Sequence, residues 1–157
     1  MPEETREKEN YILFKLMGTT YGIKSNDVQQ MEMIEHITPV PNAPAFVEGL
    51  VFLRGQVIPA INLRLRFGFE RVDYDIKTRL IVVQKGTRRV GLIVDNAREF
   101  VAIPKDVITP PPEAISGLSG EYLEGVATLG DRLVLILNIE EVLNFAEAVK
   151  PYIQENN

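Results

Sequence analysis

Apolar residues in this chain come in short runs broken by glycine and proline, and the runs recur in the same order in its two halves. "YILFKLM" (11–17) reads as a strand, and the "GTT" after it as a tight turn into "YGI" (21–23). "SNDVQQMEMI" (25–34) predicts a short helical turn, capped by Ser25, that becomes extended. The three prolines of "HITPVPNAPAF" (36–46) predict a rigid, extended connector. "VEGLVFL" and "QVIPAINL" flank Arg54-Gly55 as a hairpin, with Pro59 implying an edge or a bulge. Asn62 to Phe67 predicts a helical turn stopped by Gly68.

The second half opens the same way, with "RLIVVQK", "GTRR" and "VGLIVDN". A Pro/Gly/Ser-rich loop follows over 108–122, then a hairpin of "LEGVATL" and "RLVLILN" about Gly130-Asp131. The end reads as a helix over about 139–153, capped by Asn138 with Glu141 completing a capping box. Leu143, Phe145, Ala146, Val149 and Ile153 approximate its apolar face.

Three blocks match between the halves. They are "YGI" with "VGL", "ITPVP" with "ITPPP", and "VEGLVFLRGQVIPAINL" with "LEGVATLGDRLVLILNI". Such an ordered repeat predicts one supersecondary unit used twice, with the seam between units as a natural binding groove. Short strands, tight turns and glycines at strand ends favour two small barrels. Near-continuous apolar runs such as "LIVV" and "LVLIL" predict strands covered on both faces, which packing one barrel on its repeat supplies. The expected division is a first unit over about 11–75, a second over about 76–139, then the helix, within a single domain of 1–157.

Composition narrows the function classes. The chain has 157 residues and no cysteine, so disulfides, thiolate metal sites and a cysteine nucleophile are excluded. The polar start "MPEETREKEN" is no signal peptide, and no apolar run reaches the roughly 20 residues that span a bilayer. A cytoplasmic protein without membrane insertion is the expectation. The net charge of −5 opposes non-specific nucleic-acid binding, although eight basic residues crowd into 64–89 against three acidic ones. Phe67, Phe69 and Tyr74 lie in that stretch, so a nucleic-acid-binding barrel is one alternative.

Catalytic patterns are missing. His36 is the single histidine, which argues against a triad or a histidine-pair metal site, and no phosphate-binding fingerprint occurs. Glu48 and Glu124 are repeat-equivalent and read as structural residues. A small hydrolase is therefore the weaker alternative to a binding module, and no cofactor is expected. Val28, Met31, Phe100 and Val101 are candidates for exposed apolar contacts, set against a plain core role. Arg54 stands where its repeat mate is Gly130, so the fold unit does not demand it, and a guanidinium in a turn suits a partner contact.

The runs "TPVPNAPAFVEGLVFLRGQVIPAINLRLRFG" and "VGLIVDNAREFVAIPKDVITPPPE...EYLEGVATLGDRLVLILNIEEVLN" resemble the bacterial chemotaxis coupling-protein family, the CheW-like domains. The similarity covers about Tyr11 to Asn144. It implies an all-β fold with short helices: two SH3-like five-stranded barrels packed about a shared core, with a C-terminal helix. It implies a non-enzymatic adaptor, monomeric alone, that joins chemoreceptors at their cytoplasmic hairpin tip to the regulatory domain of the histidine kinase CheA. A coupling module of a related pathway, pilus motility or biofilm control, is the alternative it leaves open. Carried over residue by residue, the receptor contact falls on Val28, Arg54, Ile93 and Phe100, and the kinase contact on Gln30, Met31 and Val57. A further, weaker kinase contact falls on the second barrel. Two positions depart from the family pattern. "FLRG" replaces the common "NLRG", and Gln30 stands where an acidic residue is frequent, so Gln30 cannot form an ion pair with Arg54.

Overall fold

A computed structural model describes residues 6–112 and 120–145. The elements in order are β1 (Lys8–Leu16), β2 (Thr19–Lys24), β3 (Val28–Met33), β4 (Val47–Leu53), β5 (Gln56–Asn62), α1 (Leu63–Arg66), β6 (Arg79–Lys85), β7 (Arg88–Val94), β8 (Asn96–Pro104), β9 (Ile108–Thr109), β10 (Leu123–Leu129), β11 (Arg132–Leu137) and α2 (Ile139–Val142). They form two sheets, the first in the order β3-β6-β7-β5-β4 and the second in the order β8-β1-β2-β11-β10-β9.

The repeat holds at the level of register. Val28 faces Val83 and Met31 faces Ile81, while Ala97 faces Phe14 and Phe100 faces Ile12. The parallel pair Ala60–Gly91 has its counterpart in Ile136–Gly22. Even the short β9 has an echo, since Thr38 bridges Leu50 as Thr109 pairs with Val126. "VEGLVFL" and "LEGVATL" therefore occupy equivalent places, as the repeat predicts.

The boundary between the units is different from the expected one. A division near residue 75 marks the repeat, but neither sheet is contiguous in sequence. The opening hairpin of each half, β1-β2 or β6-β7, lies in the sheet completed by the other half. The connections explain this. Asp95 alone separates β7 from β8, fewer than the two residues a hairpin turn needs, so the chain runs onward into the other sheet. A short 3-10 turn, Ser25–Asp27, does the same between β2 and β3. Ser25 opens that turn instead of capping it; Lys24 holds the cap position and no side-chain cap bond forms.

Three apolar clusters result. One lies inside the first sheet (Val51, Ile58, Ala60, Leu80, Val82, Ile93) and one inside the second (Tyr11, Leu13, Ile103, Ala127, Val134, Ile136). The largest is shared between the sheets and holds Phe14, Leu16, Tyr21, Ile81, Val83, Leu92 and Leu137 among others. β6 shows why "LIVV" is apolar throughout: Leu80 and Val82 face inward, while Ile81 and Val83 face the seam.

Asn62, the last residue of β5, and Asn138, directly after β11, hold equivalent places and cap α1 and α2, each side chain accepting a hydrogen bond at 3.2 Å, from the Leu65 and Glu141 amides respectively. The capping expected at Asn138 is thus present, but the helix expected as far as 153 ends at Val142, where Leu143 takes the C-cap position and Asn144 and Phe145 are not helical; positions 146–153 of the expected span lie outside the described residues. The middle of the Pro/Gly/Ser-rich loop, 113–119, also lies outside them. Pro59 sits just before Ala60, where β5 begins to pair with β7, so its missing N–H falls where β5 has a ladder partner only in β4.

Candidate partner-binding surface

β3 is an edge strand, hydrogen-bonded only to β6. Its side chains alternate, with Val28, Gln30 and Glu32 half-buried and Gln29, Met31 and Met33 exposed. Val28 packs on the shared core and is half-buried. Gln30 is half-buried, and its amide nitrogen is shielded from solvent with no acceptor among the described residues.

Arg54 projects from the β4-β5 turn and is 78% exposed along its side chain. Its backbone is left-handed (φ 48), as is that of its repeat mate Gly130 (φ 64). An L-residue in this region carries a steric cost that glycine does not. The fold would thus be served by glycine, and arginine is retained at the tip against that preference. Its acidic neighbour is Glu32, with Nη2 to Oε1 at 3.7 Å. The ion pair that Gln30 cannot supply is therefore made two residues further along the same strand face, a position the sequence reading did not single out. The alternation of β3 was the signal that could have found it.

Glu32–Thr38 and Leu50–Arg54 together line a groove of about 590 Å³ at the open end of this sheet. Met33 and Phe52 are exposed on its walls. Val57, directly opposite Phe52 in the β4-β5 ladder, is exposed as well. Met31, Met33, Phe52 and Val57 are four exposed large apolar side chains on one sheet, a concentration that marks contact surfaces more often than solvated ones.

The second sheet carries a smaller counterpart. Phe100 is 64% exposed on β8, the edge strand equivalent to β3. Leu133 is exposed opposite Thr128, as Val57 is opposite Phe52. Beside them Arg132 donates two hydrogen bonds to Glu99, at 2.9 and 2.8 Å, and holds that carboxyl below its usual range. Met31 and Phe100 are thus the same position of the unit, one assigned by resemblance to the kinase and the other to the receptor.

Ile93 does not fit the surface role expected for it. It is 3% exposed and packs with Val51, Ile58, Leu80 and Val82 inside the first sheet. β7 is a central strand whose faces are both covered, so alternation leaves no side chain of its middle free. The basic stretch is largely consumed within the molecule. Arg64 donates to both oxygens of Asp95 at 2.8 and 2.6 Å. Arg66 donates to Tyr122 and to the carbonyls of Glu141, Val142 and Asn144, and lies over the rings of Phe46, Tyr122 and Phe145. Arg71 pairs with Glu48, and Arg88 donates to the Leu143 carbonyl. Phe67 is likewise stacked internally, on Tyr122. Arg66 thereby fastens α1 to the α2 segment, and with these cations paired inside the molecule little of a nucleic-acid-binding face is left.

Glu48 and Glu124 do occupy equivalent positions and both pair with cations, Arg71 and Lys24. Burial pushes the Glu48 carboxyl up, but hydrogen bonds donated by Arg71 and Tyr74 hold it below the usual glutamate value. Among the described residues, no group of three or more acidic or histidine side chains could hold a metal ion, and no helix is long and apolar enough to cross a membrane.

Comparison with known proteins then decides the family. The model of the CheW-like domain matches residues 10–147. The chain belongs to the CheW-like domain family. The chemotaxis protein CheW of Klebsiella aerogenes is 34% identical over 139 residues, covering 88% of this chain and 84% of that protein. The protein FrzA of Myxococcus xanthus is 29% identical, covering 91% and 90%. Among solved structures, the scaffolding protein TtCheW from Thermoanaerobacter tengcongensis matches with a TM-score of 0.81 at 30% identity, over 88% of this chain and 94% of that one. The CheW-like match spans both sheets and both edge strands, so the surfaces described above lie on the shared fold.

Proposed function

We propose that this chain is a non-enzymatic chemotaxis adaptor that couples transmembrane chemoreceptors to the histidine kinase CheA. The observation that carries the reading is Arg54: a long cation kept, nearly fully exposed, at a left-handed turn position where the repeat uses glycine. It stands beside the exposed apolar residues of the first sheet. A planar fork of donors beside apolar surface is the composition of an interaction hot spot.

In this reading Gln30, Met31 and Val57 meet the regulatory domain of the kinase. Val28, Phe100 and Arg54 meet the receptor's cytoplasmic hairpin tip. Phe100 and Leu133 give the second sheet its own contact, which allows each adaptor to engage more than one neighbour. Such an adaptor works by mass action: it binds the kinase's states unequally and raises effective concentration within an array. The protein is monomeric alone and cytoplasmic, and is recruited to membrane-associated arrays through the receptor. The FrzA relative, of nearly the same coverage as the CheW relative, favours a second reading in which the same adaptor serves a related chemosensory pathway.

Calorimetric titration against a kinase regulatory domain and a receptor hairpin fragment from the same genome tests this. Val57→Asp should abolish kinase binding and spare receptor binding, and Phe100→Asp should do the reverse. If each substitution weakens both partners equally, or neither partner binds, the assignment fails.

A further inference from the structure

We propose that Met31 and Met33 form an oxidation site that controls docking of the kinase on the first sheet; the inference rests on the kinase contact proposed above. The chain has no cysteine and four methionines, so thioethers are its only oxidisable sulfur. The three described methionines are all at the surface: Met17 is 53% exposed, Met31 38% and Met33 56%. Methionine is ordinarily among the residues most often buried, and here the buried clusters are built without it.

Two of the three stand together. Met31 and Met33 are two positions apart on β3 and project from the same, outer face. That strand is an edge, so one side of it is open to a small oxidant. The oxidant is a peroxide. The thioether sulfur attacks one oxygen of hydrogen peroxide, the S–O bond forms as the O–O bond breaks, and the proton of the attacked oxygen passes to the departing hydroxide, which leaves as water. Sulfur loses two electrons and the peroxide gains them; a sulfoxide reductase reverses the change with two electrons and two protons from a dithiol, which becomes a disulfide as the oxygen leaves as water.

The consequence follows from desolvation. A thioether is a soft apolar contact that a partner can bury freely. A sulfoxide is a strong, hydrated acceptor, and burying it against an apolar partner without a donor is unfavourable. The exposed side chains can be modified without disturbing the core, so oxidation leaves the fold intact and acts on docking alone. Once docked, Met31 is covered and protected.

The test treats the full chain with hydrogen peroxide, locates sulfoxides by peptide mass spectrometry, and titrates the product into the kinase regulatory domain. Affinity should fall at least tenfold with the melting curve retained, while binding to the receptor fragment is unchanged. A Met31→Leu/Met33→Leu double variant, whatever its starting affinity, should show no change of that affinity on peroxide treatment, whereas Met17→Leu should stay sensitive. Prior addition of the kinase domain should slow sulfoxide formation at Met31. Full kinase affinity with both sulfoxides present, or loss of the folded state on oxidation, overturns the proposal. If the untreated chain fails to bind the kinase domain at all, it is the functional reading that falls, and this inference with it.

Discussion

Arg54 reaches from the β4-β5 turn toward Glu32 on β3, with 3.7 Å between Nη2 and Oε1. Both strands are edges of one sheet, so the pair spans its open end. The contact is solvent-exposed, and pairs of this kind contribute about 0–1 kcal/mol. Arg54→Gly removes the pair but also relieves the left-handed strain, so stability should stay within about 1 kcal/mol of the parent. Partner affinity should nevertheless drop, by about 2–5 kcal/mol if the guanidinium is desolvated in the complex. Thermal melts and titration of the same variant separate the two effects; a large loss of stability would make Arg54 a structural residue.

Phe100 and Ile93 should behave oppositely although both were candidates for the receptor contact. Phe100→Ala removes an exposed ring and should change stability by about 0.5 kcal/mol or less. Ile93→Ala empties a packed position and should cost about 2–5 kcal/mol. Denaturant melts check this, and a stable Ile93→Ala protein would contradict the packing described here.

Gly49 and Gly130 both have positive φ, yet only one is sterically enclosed. A Cβ on Gly49 would collide with the Thr38 carbonyl oxygen, which accepts the Leu50 amide across the bridge. Gly130 has nothing near its missing Cβ. Gly130→Ala should cost about 1–2 kcal/mol from backbone strain alone. Gly49→Ala should cost clearly more, enough to lower expression of folded protein, as measured by soluble yield and melting temperature.

The Glu48 cluster sets a pH dependence. The Glu48 carboxyl is held below its ordinary value of 4.5, burial opposing and the Arg71 and Tyr74 hydrogen bonds prevailing. A depressed folded pKa gives stability that is present above pH 4.5 and is lost as pH falls below it through the folded value. Tyr74 is shifted the other way, above 10.0, by burial and then by its hydrogen bond to Glu48. Its contribution is present below pH 10.0 and is lost as pH rises beyond it. Glu48→Gln should flatten the acid limb of the stability profile, and Tyr74→Phe the alkaline limb, in melts taken across that range.

Local order was largely written in the chain. The turns at Gly18, Gly86 and Gly130 and the asparagine caps depend on backbone freedom and hydrogen bonding within a few residues, so they were readable from residue type alone. The repeat was readable because each unit must bury the same face, which fixes apolar and glycine positions in both copies. The exposure of Met31, Val57 and Phe100 was not fixed by their own identity, since apolar residues serve cores and contacts alike. Two things were decided only in three dimensions. One is that the opening hairpins exchange sheets, because a connection too short to turn back, such as Asp95, shows itself only once the ends of the strands on either side are fixed. The other is that Ile93 is core and that Glu32, not Gln30, meets Arg54. Burial and pairing across strands depend on which edges the fold brings together, and nothing in the spacing of Glu32 and Arg54 along the chain encodes that distance.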